Sequence, residues 1–288
     1  PDAADMRTLE DAPLVRGNLS FHDITEMVSV HTEKKTPPAW YAAFAVALTG
    51  PVLAPGLQSG LLYLTLVPST VQSSIAFTSI ARGNVAGAVV SASASNILGV
   101  FLTPLLCWLL LSSTGRVTFT TSTIVEIVLQ LFVPFVLGQL SRRWTEGFVT
   151  AHPRLKLVDR GSIVLVVYSA FSAGMREGMW SETSWTDLAI VLANCIVLLA
   201  LMLWLTWWTA RRLGFNRADA IAIQFCGTKK SLASGLPMAG VLFVGQPLGL
   251  LIVPLVLFHQ AQLMACSALA GRYARLAEAQ AGAPGDET

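Results

Sequence analysis

Charge is what this chain has least of. Asp, Glu, Lys and Arg together make up 12% of its 288 residues, against 53% hydrophobic residues, whereas soluble domains carry about 25% charged residues. That shortage excludes an ordinary soluble domain, and a net charge of only +2 gives no footing for a nucleic-acid surface. Cysteine is scarce too: Cys107, Cys195, Cys226 and Cys266 stand singly in apolar segments, with no CxxC pair and no metal-ligand spacing, and read as small apolar packing residues. Neither an HExxH zinc pair nor a phosphate-cradling Gly loop ending in Lys-Ser/Thr is present. An intramembrane enzyme therefore finds no support, and the reading is of a non-enzyme without a cofactor.

What the chain does have is length of apolar sequence. Apolar segments cover about 57–80, 85–111, 122–141, 161–180, 186–210, 218–243 and 248–271, each near the ~20 residues that cross a bilayer as a helix. The run Ala39 to Leu48 is too short to cross alone and reads as the tail of a further span. Residues 1–38 are polar, rich in Asp and Glu, and lack the basic and apolar regions of a signal peptide. They are expected to be a disordered or foreign leader, ahead of a membrane domain over 39–276 and a disordered tail over 277–288.

Two of the segments are interrupted. In 218–243 the stretch Gly227-Thr-Lys-Lys-Ser-Leu-Ala-Ser-Gly235 puts two lysines and two glycines where a crossing helix should be continuous. In 57–80 the interruption is Val67-Pro-Ser-Thr-Val71, where Pro68 has no N–H to donate and clashes with the preceding turn. In hydrocarbon a helix can break only where protein or a polar cavity surrounds the break. One broken span in each half of a chain is the sequence signature of a secondary transporter built from inverted repeats.

Basic residues order the segments across the membrane, because short loops rich in Lys and Arg stay in the cytoplasm. Arg142, Arg143, Arg154, Lys156 and Arg160 follow 141, Arg211, Arg212 and Arg217 follow 210, and Arg272 and Arg275 lie in the tail. The intervening connections hold Arg116, then Arg176 offset by Glu177, Glu182 and Asp187, then no charge over 244–247. The alternation puts the C-terminus in the cytoplasm and needs 218–243 to cross once. The segment 57–80 then runs inward, opposite to 218–243, as an inverted pair requires.

The strings LVPSTVQSSIAFTSIARGNVAGAVVSASASNILGVFLTPLL (66–106), VDRGSIVLVVYSAFS (158–172), FCGTKKSLASGLPMAGVLF (225–243) and LIVPLVLFHQAQLM (251–264) resemble the bile acid:sodium symporter superfamily, closest to its bacterial branch of SBF-like transporters. The resemblance covers about 57–275. It implies ten helices in two inverted five-helix repeats, with the fourth and ninth broken and crossing at mid-membrane. Residues 57–111 would be the remnant of the first repeat and 122–271 the second, so the resemblance also implies that the first helices of that fold are missing or replaced. It further implies sodium ions near the crossing, held by a carboxylate and an amide of the ninth helix. Here the break in that helix offers Lys229 and Lys230 and no carboxylate, so the expectation is transport without strong sodium dependence, with a proton as the other candidate for coupling.

The candidate binding residues are Ser69, Thr70, Gln72, Ser73, Ser95, Asn96, Lys229, Lys230 and Ser231, with Glu126 and His259 as candidates for coupling. Each has two open readings. Lys229 and Lys230 either attract an anion at mid-depth or snorkel to a helix end. Ser69, Gln72 and Ser73 follow i, i+3, i+4 and share a helix face, beside a new helix N-terminus that suits an anionic group, and Ser69 is equally suited to capping that half-helix. Gly87, Ser91, Ser95 and Gly99 form a stripe of small residues that lets helices approach, with Ser95 and Asn96 expected to face the crossing. Glu126 is either a buried carboxylate or an interfacial one, and His259, on one face with Gln262, is either a hydrogen-bonded core histidine or a titrating one.

The fold expected is an all-α integral membrane protein with about seven transmembrane helices, two broken and crossing. The function expected is secondary transport of a small organic anion by alternating access, in a bacterial inner membrane. The alternative is a non-transporting assembly or regulatory subunit. Expected partners are the lipid bilayer, the anion and, through bare apolar faces, a second copy of the chain; nucleic acid is not expected.

Overall fold

In the computed structural model the described residues are 53–112, 133–152, 155–176, 183–244 and 248–281, with a few isolated positions between them. The expected leader, Glu126 and nearly half of the segment 122–141 lie outside them. Among the described residues every element is a helix: α1 Pro55–Leu66, α2 Val71–Ile80, α3 Val85–Ser112, α4 Val133–Ala151, α5 Leu155–Arg176, α6 Trp185–Arg212, α7 Arg217–Thr228, α8 Leu232–Leu242 and α9 Leu248–Ala281.

Local chemistry sets the boundaries. Pro55 opens α1 in the first turn, where a missing N–H costs nothing. The helix stops at Val67, whose extended backbone (ψ 139°) is what the residue before a proline prefers. Thr70 is also extended, and α2 starts after it, bent 59° from α1. Ser184 and Asp187 form a reciprocal capping box at the start of α6, and Gly214, at φ +80°, closes the turn after its end. Asn216 caps α7 by accepting from the Asp219 N–H. The second break is shorter than the sequence suggests. It spans Lys229 to Ser231, and Ser231 at once caps α8 through the Ser234 N–H, so Gly235 lies inside a helix.

Two boundaries differ from expectation because polar residues do not end these helices. α4 runs to Ala151, through Arg142 and Arg143, where a connection was expected from 142. α9 runs to Ala281, so the tail boundary expected at 277 falls within a helix.

α9 is the axis of the bundle, packing against α1, α6, α5, α8 and α2, while α7 packs on α6, α3 and α2. The main core is built from α1, α8 and α9, with Leu57, Leu61, Leu64, Leu236, Leu251 and Phe258 buried. A second cluster, around Ile221, Phe225, Cys266 and Ala270, joins α7 to the far part of α9. All four cysteines are free and buried, as packing residues should be.

Large apolar side chains also point outward, among them Leu109, Trp144, Val164, Val197 and Trp204, which in water would be a liability and in lipid is the expected surface. Three helices among the described residues, α3, α6 and α9, are long and apolar enough to cross a membrane, and α1 with α2 forms a fourth span if the bent pair is taken as one. The described residues form the all-helical part of an integral membrane protein.

Candidate functional site

The two breaks meet. The Ser231 N–H donates to the Pro68 carbonyl at 2.8 Å, Ser69 Oγ donates to the Cys226 carbonyl at 2.7 Å, and Thr70 Oγ1 donates to the Lys230 carbonyl at 2.8 Å. An interrupted helix frees backbone carbonyls that must find donors away from water. Each break here supplies donors to the carbonyls of the other.

The lysines do the same, in opposite directions. Lys230 Nζ turns to the end of α1 and donates to the carbonyls of Thr65 at 2.8 Å and Val67 at 3.0 Å. A cation at a helix C-terminus also meets the negative end of the helix dipole. Lys229 Nζ turns the other way, along α2, donating to the Ser73 carbonyl at 2.7 Å and sitting 3.7 Å above the Phe77 ring. The Lys229 side chain is 1% exposed, so it does not snorkel. Among the described residues no ion pair joins either lysine to a carboxylate, and no cluster of His, Cys, Asp or Glu could hold a metal ion.

α3 backs the crossing. Ser95 Oγ accepts from the Ser69 N–H at 3.1 Å, and Asn96 Nδ2 donates to the Ser69 carbonyl at 2.6 Å. Ser234 Oγ donates to Asn96 Oδ1 at 2.8 Å, and Thr103 Oγ1 donates to the Leu66 carbonyl at 2.8 Å. Gly99 lies flat against Pro68, where a Cβ would stand 2.6 Å from the Pro68 Cβ. Replacing Gly99 by Val is therefore expected to push α3 off the break and cost about 1–3 kcal/mol, read as a lower melting temperature in detergent with the surface mutant Val197→Ala as the unaffected control.

From α9, Gln262 clamps the second break like a strand partner. Its Oε1 accepts from the Lys230 N–H and its Nε2 donates to the Lys230 carbonyl, both at 2.8 Å. The same Nε2 lies 2.9 Å from His259 Nδ1, so His259 is a hydrogen-bonded histidine one residue removed from the crossing. Tyr63 Oη reaches the Gly235 carbonyl at 2.6 Å.

Of the candidates read from sequence, Ser69, Thr70, Ser73, Ser95, Asn96, Lys229, Lys230 and Ser231 come together here, Ser73 through its carbonyl. Gln72 does not: it is exposed and makes none of these contacts. The i, i+3, i+4 relation fails because Ser69 and Thr70 precede the helix, so helical spacing does not run across the break. Glu126 is outside the described residues. Gln262 and Ser234 are polar members of the site that sequence reasoning did not select, although Gln262 shares the His259 face of an apolar helix.

The ends of the bundle are also defined. Arg217 Nη2 donates to the Tyr273 carbonyl at 2.9 Å, Arg82 pairs with Glu278 at 3.1 Å, and Asn84 Nδ2 donates to Asp219 Oδ1 at 2.7 Å. These contacts gather the start of α7, the turn after α2 and the end of α9 at one end, the end toward which Lys229 points.

Comparison with known proteins agrees with this architecture. The model of the SBF-like CPA transporter family matches residues 27–275. The uncharacterized protein PA2026 of Pseudomonas aeruginosa is 55% identical over 226 residues, 78% of this chain and 68% of that one. The Escherichia coli protein named "Putative symporter YfeH" is 49% identical over 225 residues, 78% of this chain and 68% of its own. Sodium/bile acid cotransporter 7-A of Xenopus laevis is 32% identical over 217 residues, 74% of this chain and 63% of that protein.

Proposed function

The chain belongs to the SBF-like CPA transporter family, and from that premise we propose that it is a secondary transporter of a small organic anion, bound at the crossing of the two broken helices. One observation carries the reading: two ammonium groups sit among backbone carbonyls at the crossing, with no ion pair to a carboxylate among the described residues. Carbonyl dipoles solvate a buried cation but bring no opposite charge. A substrate carboxylate, sulfonate or phosphate supplies that charge, and the attraction is about 4 kcal/mol at 4 Å for an effective dielectric constant of ~20. The remaining helices of a ten-helix inverted-repeat fold belong to the same proposal, as does alternating access by movement of one bundle against the other.

The relatives named as a symporter and as a sodium/bile acid cotransporter suggest coupled transport. In this chain lysines take the mid-depth position, so the cation in the cycle is proposed to be a proton or none, in preference to sodium. Uptake of a panel of radiolabelled organic anions into proteoliposomes tests the function. Replacing external sodium by choline is expected to change uptake by less than about twofold, because a fixed ammonium already supplies the positive charge. A steep sodium dependence would reject the coupling reading, and absence of uptake for every anion tried would favour a non-transporting subunit.

The positive-inside rule makes the end bearing Arg82, Arg217, Arg272 and Arg275 cytoplasmic, in a bacterial inner membrane. In a background without native cysteines, E278C is expected to react with an impermeant maleimide only after the cells are permeabilised. Labelling in intact cells would invert the topology.

A further inference from the structure

The two lysines are adjacent in sequence but differ in surroundings. Lys229 reaches the middle of a helix, touching a single carbonyl and an aromatic face. Lys230 reaches the terminus of one, where Thr65 and Val67 direct two carbonyl oxygens at a single point. Thr65 Oγ1 is turned away to the Leu62 carbonyl at 2.7 Å, so the backbone alone faces the ammonium. Converging backbone carbonyls at the C-terminal end of a half-helix are the arrangement that coordinates small monovalent cations in membrane transporters. Lys230 is partly buried and Lys229 is 1% exposed.

We propose that the Lys230 ammonium is a tethered monovalent cation filling a carbonyl site at the end of α1, and that removing the side chain while keeping its space opens that site to a free monovalent cation. Gln262 serves this arrangement by fixing the Lys230 backbone through its N–H and carbonyl, which aims the side chain at α1. The wild-type protein then needs no ion from solution to hold the two breaks together.

The test is read on stability and needs no substrate, so failure of the anion-transport reading leaves it intact. Melting temperatures in detergent are compared in sodium, ammonium, methylammonium and choline chloride at equal ionic strength. The wild type is expected to melt at the same temperature in all four. K230A in choline is expected to melt about 5 °C or more lower, from two carbonyls left without a donor. Ammonium or methylammonium, which preserve the hydrogen-bond lengths, is expected to restore at least half of that loss. K230M, which fills the space, should stay low in every salt, and K229A should show no cation-specific rescue.

Equal melting of K230A in all four salts would overturn the proposal, and so would the same rescue in K230M or K229A. If K230A is not recovered folded, K230C alkylated with 2-bromoethylamine, in a background lacking the four native cysteines, rebuilds an ammonium of lysine length. Return to the wild-type melting temperature supports the assignment, and no gain over unalkylated K230C refutes it.

Discussion

Replacing Lys229 by Met is expected to lower anion uptake by roughly a thousandfold, the effect of losing about 4 kcal/mol of attraction to a bound anion, while the melting temperature moves by no more than a few degrees. The two readouts part because of what surrounds this side chain. Its ammonium rests on the Phe77 ring, with Phe225 5.6 Å from it, so a methionine of similar length finds apolar and aromatic contact in the same space. It also no longer carries the cost of holding a charge away from water. The carbonyl it leaves, that of Ser73, lies within α2 and keeps its place in the helical ladder. Lys230 behaves differently, since its loss strips donors from the end of α1, and a K229M/K230M double variant would lose transport and stability together. Uptake in proteoliposomes, scaled to folded protein by gel filtration, checks the single variant. Uptake within tenfold of wild type would show that Lys229 packs the inner half of the crossing and does not meet the substrate.

Much of this arrangement was legible in the sequence because its causes are local. Pro68 breaks a helix wherever it lies, and a Lys pair in an apolar span must be satisfied by something. From these the two breaks and most of their polar residues followed, whereas their crossing was what the resemblance to the family implied, and Ser95 and Asn96 face it from α3. Three things were not legible. The break at Val67 to Thr70 interrupts the helical phase, which is why Gln72 was assigned to a face it does not share with Ser69. The opposite directions of Lys229 and Lys230 depend on the non-helical backbone of the break, extended at its two ends with ψ 149° at Lys229 and 113° at Ser231, and spacing cannot show that. Gln262 acts through a contact 32 residues away in sequence; no local pattern marks it, except that an amide on an apolar helix needs a partner.

The largest loss of stability is expected from Gly60→Ala. Gly60 faces α9 with nothing between the backbones: a Cβ there would overlap the Leu251 carbonyl oxygen and stand 3.0 Å from both the Leu251 carbonyl carbon and the Pro254 ring. A clash with a flexible side-chain end can relax, but this one is with backbone. α9 has no freedom to retreat, because Leu255 on the next turn is already pressed on Gly235, as is Val67 from the first break. Small residues at such positions let membrane helices approach closely, and here the approach is what holds α1 in place. Separating α1 from α9 would draw Thr65 and Val67 off the Lys230 ammonium and Tyr63 off the Gly235 carbonyl, so the polar network would fail along with the packing. A cost of about 3 kcal/mol or more corresponds to roughly 6–12 °C for a domain of this size. Gly240→Ala, on α8 where nothing lies within 4 Å of the added methyl, is the matched control and is expected to leave the melting temperature unchanged. Equal melting of the two variants would mean that α1 and α9 are free to slide, and the crossing would then have to be held together by its hydrogen bonds alone.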